Sequence, residues 1–232
     1  MDKLHLNQHI VKAYNEKLSD IKSQLLTMGA LVEEQVQDSV SAYFNDDLAL
    51  TDNIMDKERR IDDLEVFIDE SCTELIALRQ PAASDLRMIL TVSKVTCDLE
   101  RIGDEAYKIS KLTIMTSSSD SLGDKCNDLR CLGKAVLKLL HDALVAFSDF
   151  DDNAAMSIIG GDKEIDKQFE VALNSMIASF KDDSHGAVDI VPILGVLRAL
   201  ERIAGHAKNI CEQIVFLVQG RDIRHISRRS EP

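Results

Sequence analysis

The chain contains no tryptophan, three prolines, ten glycines and only 4% aromatic residues across 232 positions. Few aromatics and few breakers, set against many Leu, Ala, Glu, Asp and Lys, favour helices over sheets. Strand-like alternation is nowhere sustained for more than a few residues. Its five cysteines, Cys72, Cys97, Cys126, Cys131 and Cys211, are odd in number and include no C-x-x-C pair. With no signal peptide visible, they read as reduced thiols of a cytosolic protein, Cys97 and Cys211 serving as small core or near-core residues. No apolar run approaches the ~20 residues that a membrane span needs, so any membrane connection runs through a partner. Basic residues are outnumbered, 27 Lys and Arg against 40 Asp and Glu, which gives a formal charge of −13 and an isoelectric point near 4.9. That excludes the clustered Lys and Arg field of a nucleic-acid surface. The acidic balance fits solubility, cation binding or a basic protein partner. One basic cluster, Arg221 to Arg229, reads as a solvated tail.

What is present is helical periodicity. Leu18, Ile21, Leu25, Met28, Leu31 or Val32, Val36, Val40 and Phe44 mark a long amphipathic helix from about His9 to Phe44. A second helix, from about Leu48 to Leu78, carries Ile54, Ile61, Leu64, Ile68, Cys72 and Leu75, and stops before Pro81. Ser84 or Asp85 offers a cap for a third, with Ile89, Val92, Val95, Leu99, Ile102, Ala106 and Ile109 on one stripe. A polar, breaker-rich stretch follows and reads as a linker. Helices four (about Asp128 to Phe147), five (about Asn153 to Phe180) and six (about Pro192 to Val218, stopped by Gly220) repeat the plan.

The expected fold is therefore all-α: two tandem three-helix bundles related by internal duplication, six long antiparallel helices in all. The expected boundaries are residues 1–117 for the first repeat, 118–123 for the linker, 124–220 for the second repeat and 221–232 for the tail. Two matches in the same order carry the duplication. Asp56-Lys-Glu-Arg-Arg-Ile-Asp62 parallels Asp162-Lys-Glu-Ile-Asp166, and Leu99-Glu-Arg-Ile-Gly-Asp104 parallels Leu200-Glu-Arg-Ile-Ala-Gly205.

The chemistry-bearing residues are carboxylates one helical turn apart. Glu58 and Asp62 share a face of helix two; Glu100 and Asp104 share a flank of helix three. The first pair lies about 20 residues before the turn at Gln80-Pro81, and the second about 22 after it. At 1.5 Å per residue, antiparallel neighbours bring both pairs to one level. Asp162 and Asp166 stand similarly opposite Glu201 around a turn near His185. Four carboxylates at one height repel unless positive charge lies between them, whether from Arg59 or Arg101 or from a metal ion. An oxygen-rich site suits Mg²⁺, Mn²⁺, Ca²⁺ or iron, and the spacing does not choose among them. The competing reading is a solvated acidic face. Gly205 stands where the first copy has Asp104, so the second site keeps at most three carboxylates and is expected to be weaker; His206 points about 100° further round and does not substitute.

Catalysis finds little support. None of the six histidines has a Glu three residues before it, as the di-iron bundle oxidases require. There is no Gly-rich phosphate loop, nucleophile elbow or zinc spacing.

Met28-Gly29, the Glu58 to Asp62 segment, Arg79-Gln-Pro-Ala-Ala-Ser-Asp-Leu-Arg87 and Asp98-Leu-Glu-Arg-Ile-Gly-Asp104 together resemble the PhoU family. So do Leu200-Glu-Arg-Ile203 with His206, Ala207 and Asn209, and the ending Gly220-Arg-Asp-Ile-Arg-His225. The resemblance spans nearly the whole chain. It implies a non-enzymatic cytoplasmic regulator that negatively controls phosphate uptake and phosphate-starvation signalling. The implied partners are the phosphate ABC transporter, through its ATPase PstB and its membrane subunits, and the sensor histidine kinase PhoR. It also implies a homodimer, and paired E(D)xxxD motifs that bind divalent or trivalent metal, with iron, Mn, Mg or Zn as candidates. Those motifs fall on Glu58, Asp62, Glu100, Asp104, Asp162, Asp166 and Glu201, with Gly205 breaking the last. The alternatives are a metal-binding bundle without signalling partners and, less favoured, a bundle metalloenzyme.

Overall fold

The computed structural model describes residues 12–45, 47–51, 53–116, 127–182 and 187–224. Among them there is no strand. The helices are α1 (Lys12–Asn45), α2 (Ile54–Arg79), α3 (Ser84–Thr116), α4 (Asn127–Asp149), α5 (Asp152–Gly160), α6 (Asp162–Asp182) and α7 (Ala187–Gln219), with a 3₁₀ turn at Leu48–Thr51. Six rods result, because α5 and α6 form a single path broken at one point. The expected linker lies outside the described residues, as do Cys126, the turn at His185 and the tail from His225 onward.

Three local expectations are corrected. Helix five is interrupted at Gly160-Gly161, where the Gly161 N–H reaches the carbonyls of Ser157 and Ile158 and a new helix starts from the Gly161 carbonyl. Paired glycines lack the side chains that favour a straight helix, so the bend falls there. Helix two begins at Ile54 rather than Leu48, the intervening residues tightening into the 3₁₀ turn. Neither Ser84 nor Asp85 caps α3, because both already lie inside it, and the first helical bond runs from Arg87 N–H to Ala83 O. Asp85 is buried and faces Tyr14 of α1 instead. Burial and that carboxylate together push the tyrosine hydroxyl up to about 12.

The stripes read from periodicity are the core. Ile61, Ile68, Val92, Val95, Leu99, Ile102, Val136, Leu140, Leu200 and Ile203 are all fully buried. Each such side chain contributes on the order of 1.5–3 kcal/mol by leaving water. The burial pattern repeats across the halves: Leu25, Met28, Val32, Val36 and Tyr43 of α1 match Leu129, Leu132, Val136, Leu140 and Phe147 of α4, each 104 positions later. Likewise Val95, Leu99, Ile102, Ala106 and Ile109 of α3 match Val196, Leu200, Ile203, Ala207 and Ile210 of α7, each 101 later.

α3 and α7 form the most extensive contact in the molecule, with α1 and α4 packed on either side. α1 and α4 approach closely at Gly29, where a Cβ would lie 2.9 Å from Leu144 Cδ2. α2 turns into α3 at Gln80, which adopts a left-handed conformation (φ 47°) and donates its N–H to Ile76 O before Pro81 prevents further helix. That turn sets the α2–α3 register on which the site depends.

Candidate cation site between helices two and three

Antiparallel packing of α2 on α3 brings the two predicted acidic pairs to the same level. The Glu58 carboxyl sits within hydrogen-bonding reach of Asp104, and Asp62 lies close to Glu100. Glu65, one turn further along α2, faces Glu100 and Asp62 as well. Five carboxylates therefore occupy one seam where the sequence pointed to four.

Burial and mutual repulsion raise the proton affinity of the glutamates on this seam. Glu58 is pushed up to about 7, first by burial and then by Asp104 and Asp62. Glu100 is raised by burial, then by Asp104 and Asp62, while Arg101 and Lys108 oppose the shift. Glu65 is raised by burial, then by Glu100, Asp69 and Asp62. Of the two arginines expected to compensate, Arg101 does so. Arg59 points away and pairs with Asp56 at 3.5 Å. Lys108 adds a looser contact of 3.9 Å to Asp104.

One contributor came from a helix the sequence pattern did not implicate. Gln35 of α1 is fully buried; its Nε2 donates to Glu58 Oε2 at 2.6 Å and to the Gly103 carbonyl at 3.2 Å. This amide bond to the carboxylate favours the charged form of Glu58 and partly offsets burial. α2 lies close over Gly103, where a Cβ would just touch Glu58 Oε2 at 3.5 Å and Ile61 Cδ1 at 3.4 Å. Lys57 ties α2 to α1 alongside, at 2.8 Å from Glu34 and 2.6 Å from Asp38.

The second half is built differently. α6 makes sparse contact with α7, and a groove of about 1260 Å³ opens between them and α3. Asp166 and Glu201 both line it, as does Gly205, whose Cβ position meets nothing within 4 Å. Glu201 is engaged by Arg198 of its own helix at 2.8 Å, and that arginine also lies over the Phe169 ring at 5.9 Å. The Asp162 side chain lies outside the described residues. Asp166 of α6 and Glu201 of α7 thus line an open groove, whereas the first-half carboxylates are pressed together.

Between the halves, α3 and α7 exchange two polar pairs that sequence reasoning missed. Arg202 donates to the buried Glu105 at 3.0 Å, and His206 Nδ1 lies 2.8 Å from Asp98, which also accepts from Asn209 at 3.1 Å. Glu105 and His206 occupy equivalent places in the two copies. His206 thus serves the interface between repeats through Asp98, apart from the acidic pairs of the seam.

Among the described residues, no three His, Cys, Asp or Glu side chains converge into a ready-made metal cage. The donor set of the first seam nonetheless fits a hard cation. It consists of carboxylate oxygens only, and burial together with neighbouring carboxylates raises Glu58 and Glu100 above the ordinary glutamate range. Cys72, Cys97, Cys131 and Cys211 are free thiols, with Cys72 and Cys211 buried, Cys97 half-buried and Cys131 exposed. None of the described helices is long and apolar enough to cross a membrane.

The PhoU domain family matches this sequence twice, over residues 25–113 and 129–214. A relative from Pseudomonas aeruginosa, described as a phosphate-specific transport system accessory protein PhoU homolog, is 39% identical over 226 residues, covering 97% of this chain and 93% of that one. The Escherichia coli phosphate-specific transport system accessory protein PhoU is 37% identical over the same length and coverage. The crystal structure of PhoU from Pseudomonas aeruginosa superposes with a TM-score of 0.86 at 39% identity, over 90% of this chain and 100% of that one. The PhoU phosphate transport system regulatory protein from Streptococcus pneumoniae gives 0.82 at 29% identity, over 90% and 99%.

Proposed function

Because the chain belongs to the PhoU family, and so is an accessory rather than a catalytic protein acting in the regulation of phosphate transport, we propose that it represses phosphate uptake and starvation signalling by docking. Its partners in this reading are the phosphate ABC transporter, contacted through the PstB ATPase and membrane subunits, and the sensor kinase PhoR. A docking protein shifts an equilibrium only by binding one state of its partner more tightly than the other. The observation that carries the reading is the whole-length relationship to phosphate-specific transport accessory proteins, over 97% of the chain. The protein is then cytoplasmic, reaches the membrane only through those partners, acts as a homodimer and makes no use of nucleic acid.

The first carboxylate seam is the regulatory cation site of this reading. Glu58, Asp62, Glu100 and Asp104 hold the ion, with iron, Mn, Mg or Zn as candidates. The crowded carboxyls of Glu58 and Glu100 support this, because each retains a proton more readily than an isolated glutamate. When bound, a cation supplies the positive charge that lets α2 and α3 stay packed with every carboxyl ionised. Asp162, Asp166 and Glu201 are the carboxylates of a weaker second site, of which Asp166 and Glu201 line the groove.

The test is binding of the purified protein to detergent-solubilised transporter carrying PstB, and to the cytoplasmic part of PhoR, at high phosphate. Association with at least one is expected. Failure to bind either removes the docking function.

A further inference from the structure

We infer that Gln35 is the positioning residue of the carboxylate seam, holding Glu58 so that Glu58 and Asp104 together face a single cation, and that this device exists only in the first half. The inference rests on the cation reading above and adds a part that the acidic pairs do not reveal.

Three observations carry it. Gln35 is 0% exposed, and its amide reaches the seam from a third helix, donating at 2.6 Å to Glu58 and at 3.2 Å to Gly103 O. Its own carbonyl oxygen, Oε1, is buried and accepts no hydrogen bond from the described residues. A buried glutamine left half-satisfied destabilises a core relative to an apolar side chain of similar size. Its place in the core therefore points to the group it holds, not to packing. Finally, the equivalent position of α4 is Leu139, at the same 104-residue offset that superimposes the two burial patterns. The second half lacks the glutamine, the Asp104 counterpart (Gly205) and the Gly103 counterpart (Ala204) together.

Gln35 works through Glu58. Its N–H holds Glu58 Oε2 at 2.6 Å, and the carboxyl so fixed lies within hydrogen-bonding reach of Asp104. Partners one step removed from a metal ligand typically change metal affinity by about ten- to a hundredfold when lost.

The experiment uses the full chain, stripped of metal, titrated with Mn²⁺ by calorimetry, and melted without metal. Wild type is compared with Gln35→Leu, the residue the second half carries at this place, and with Gln35→Met, which keeps the length of the side chain. The expected result is Mn²⁺ binding by wild type, weakened about ten- to a hundredfold in both variants, with the metal-free melting temperature lowered modestly because Glu58 and the Gly103 carbonyl lose their donor. A lower metal-free melting temperature with undiminished Mn²⁺ affinity makes Gln35 a packing residue and overturns the inference. Equal Mn²⁺ binding at equal melting temperature overturns it too, while leaving the cation site standing. Absence of Mn²⁺ binding by wild type removes the cation reading itself, and the role of Gln35 with it.

Discussion

The two halves of the molecule share a core and differ on their flanks. α3 and α7 bury matching stripes, Leu99 with Leu200 and Ile102 with Ile203, and α1 and α4 do the same. Yet α2 closes against α3 with five carboxylates pressed into the seam, while α6 stands off α7 and leaves a groove. Three changes of side chain accompany it. Where the first half has Glu65 the second has Phe169; where it has Asp104 and Gln35 the second has Gly205 and Leu139. Duplicated bundles keep the residues that the interior requires, and their exposed seams are free to diverge. One copy retains the charge pair under compression; the other trades it for an open wall.

The comparison makes the largest effect a symmetrical one. Ile102→Ala and Ile203→Ala, both at fully buried positions, should each cost about 2–5 kcal/mol in denaturant unfolding. A cost at Ile203 several-fold below that at Ile102 would mean the second core is loosened as well as its flank. Next comes a contrast between glycines. Gly103→Val forces methyl groups onto Ile61 and Glu58 and should cost about 1–3 kcal/mol, whereas Gly205→Val meets open space and should stay within about 0.5 kcal/mol of wild type. Equal costs at the two sites would contradict the close approach of α2.

A smaller effect concerns pH. Glu58 is raised in the folded state to about 7 from 4.5. The unfolded chain therefore releases this proton first as pH rises, and the contribution of Glu58 to stability falls between roughly pH 4.5 and 7. Glu58→Gln removes that loss. Discounted because the seam is partly solvated, the variant should gain about 1–2 kcal/mol over wild type at pH 8 without metal, and little or nothing at pH 4.5. Parallel urea titrations at the two pH values check it; a gain of the same size at both would locate the effect in packing. Smallest of all, Gly205→Asp restores the missing acid of the second half. With the groove open around it, the metal-free stability should move by no more than about 0.5 kcal/mol at either pH. A pH-dependent loss like that of Glu58 would show that α6 lies closer to α7 than described.

Much of this was legible in the sequence because it follows from period and rise. Apolar spacing gave the helices, and 1.5 Å per residue on either side of Gln80-Pro81 brought Asp62 level with Glu100. What was not legible depends on contacts between elements far apart in the chain. Gln35 lies in α1, 23 residues before Glu58, with nothing in its local pattern to mark it beyond being a polar residue beside the Val36 stripe. The pairing of Glu105 with Arg202 spans 97 residues and exists only because α3 packs on α7. The break at Gly160-Gly161 was overlooked because helices often tolerate single glycines; the adjacent pair was the available signal.

Metal stoichiometry separates the halves most directly. Purified wild type, Asp104→Asn and an Asp166→Asn/Glu201→Gln double variant would each be equilibrated with Mn²⁺, and the tightly held ion counted by elemental analysis after desalting. Tight Mn²⁺ should be retained by wild type and by the double variant and lost from Asp104→Asn. Retention by Asp104→Asn together with loss from the double variant would place the site in the second half and contradict the account.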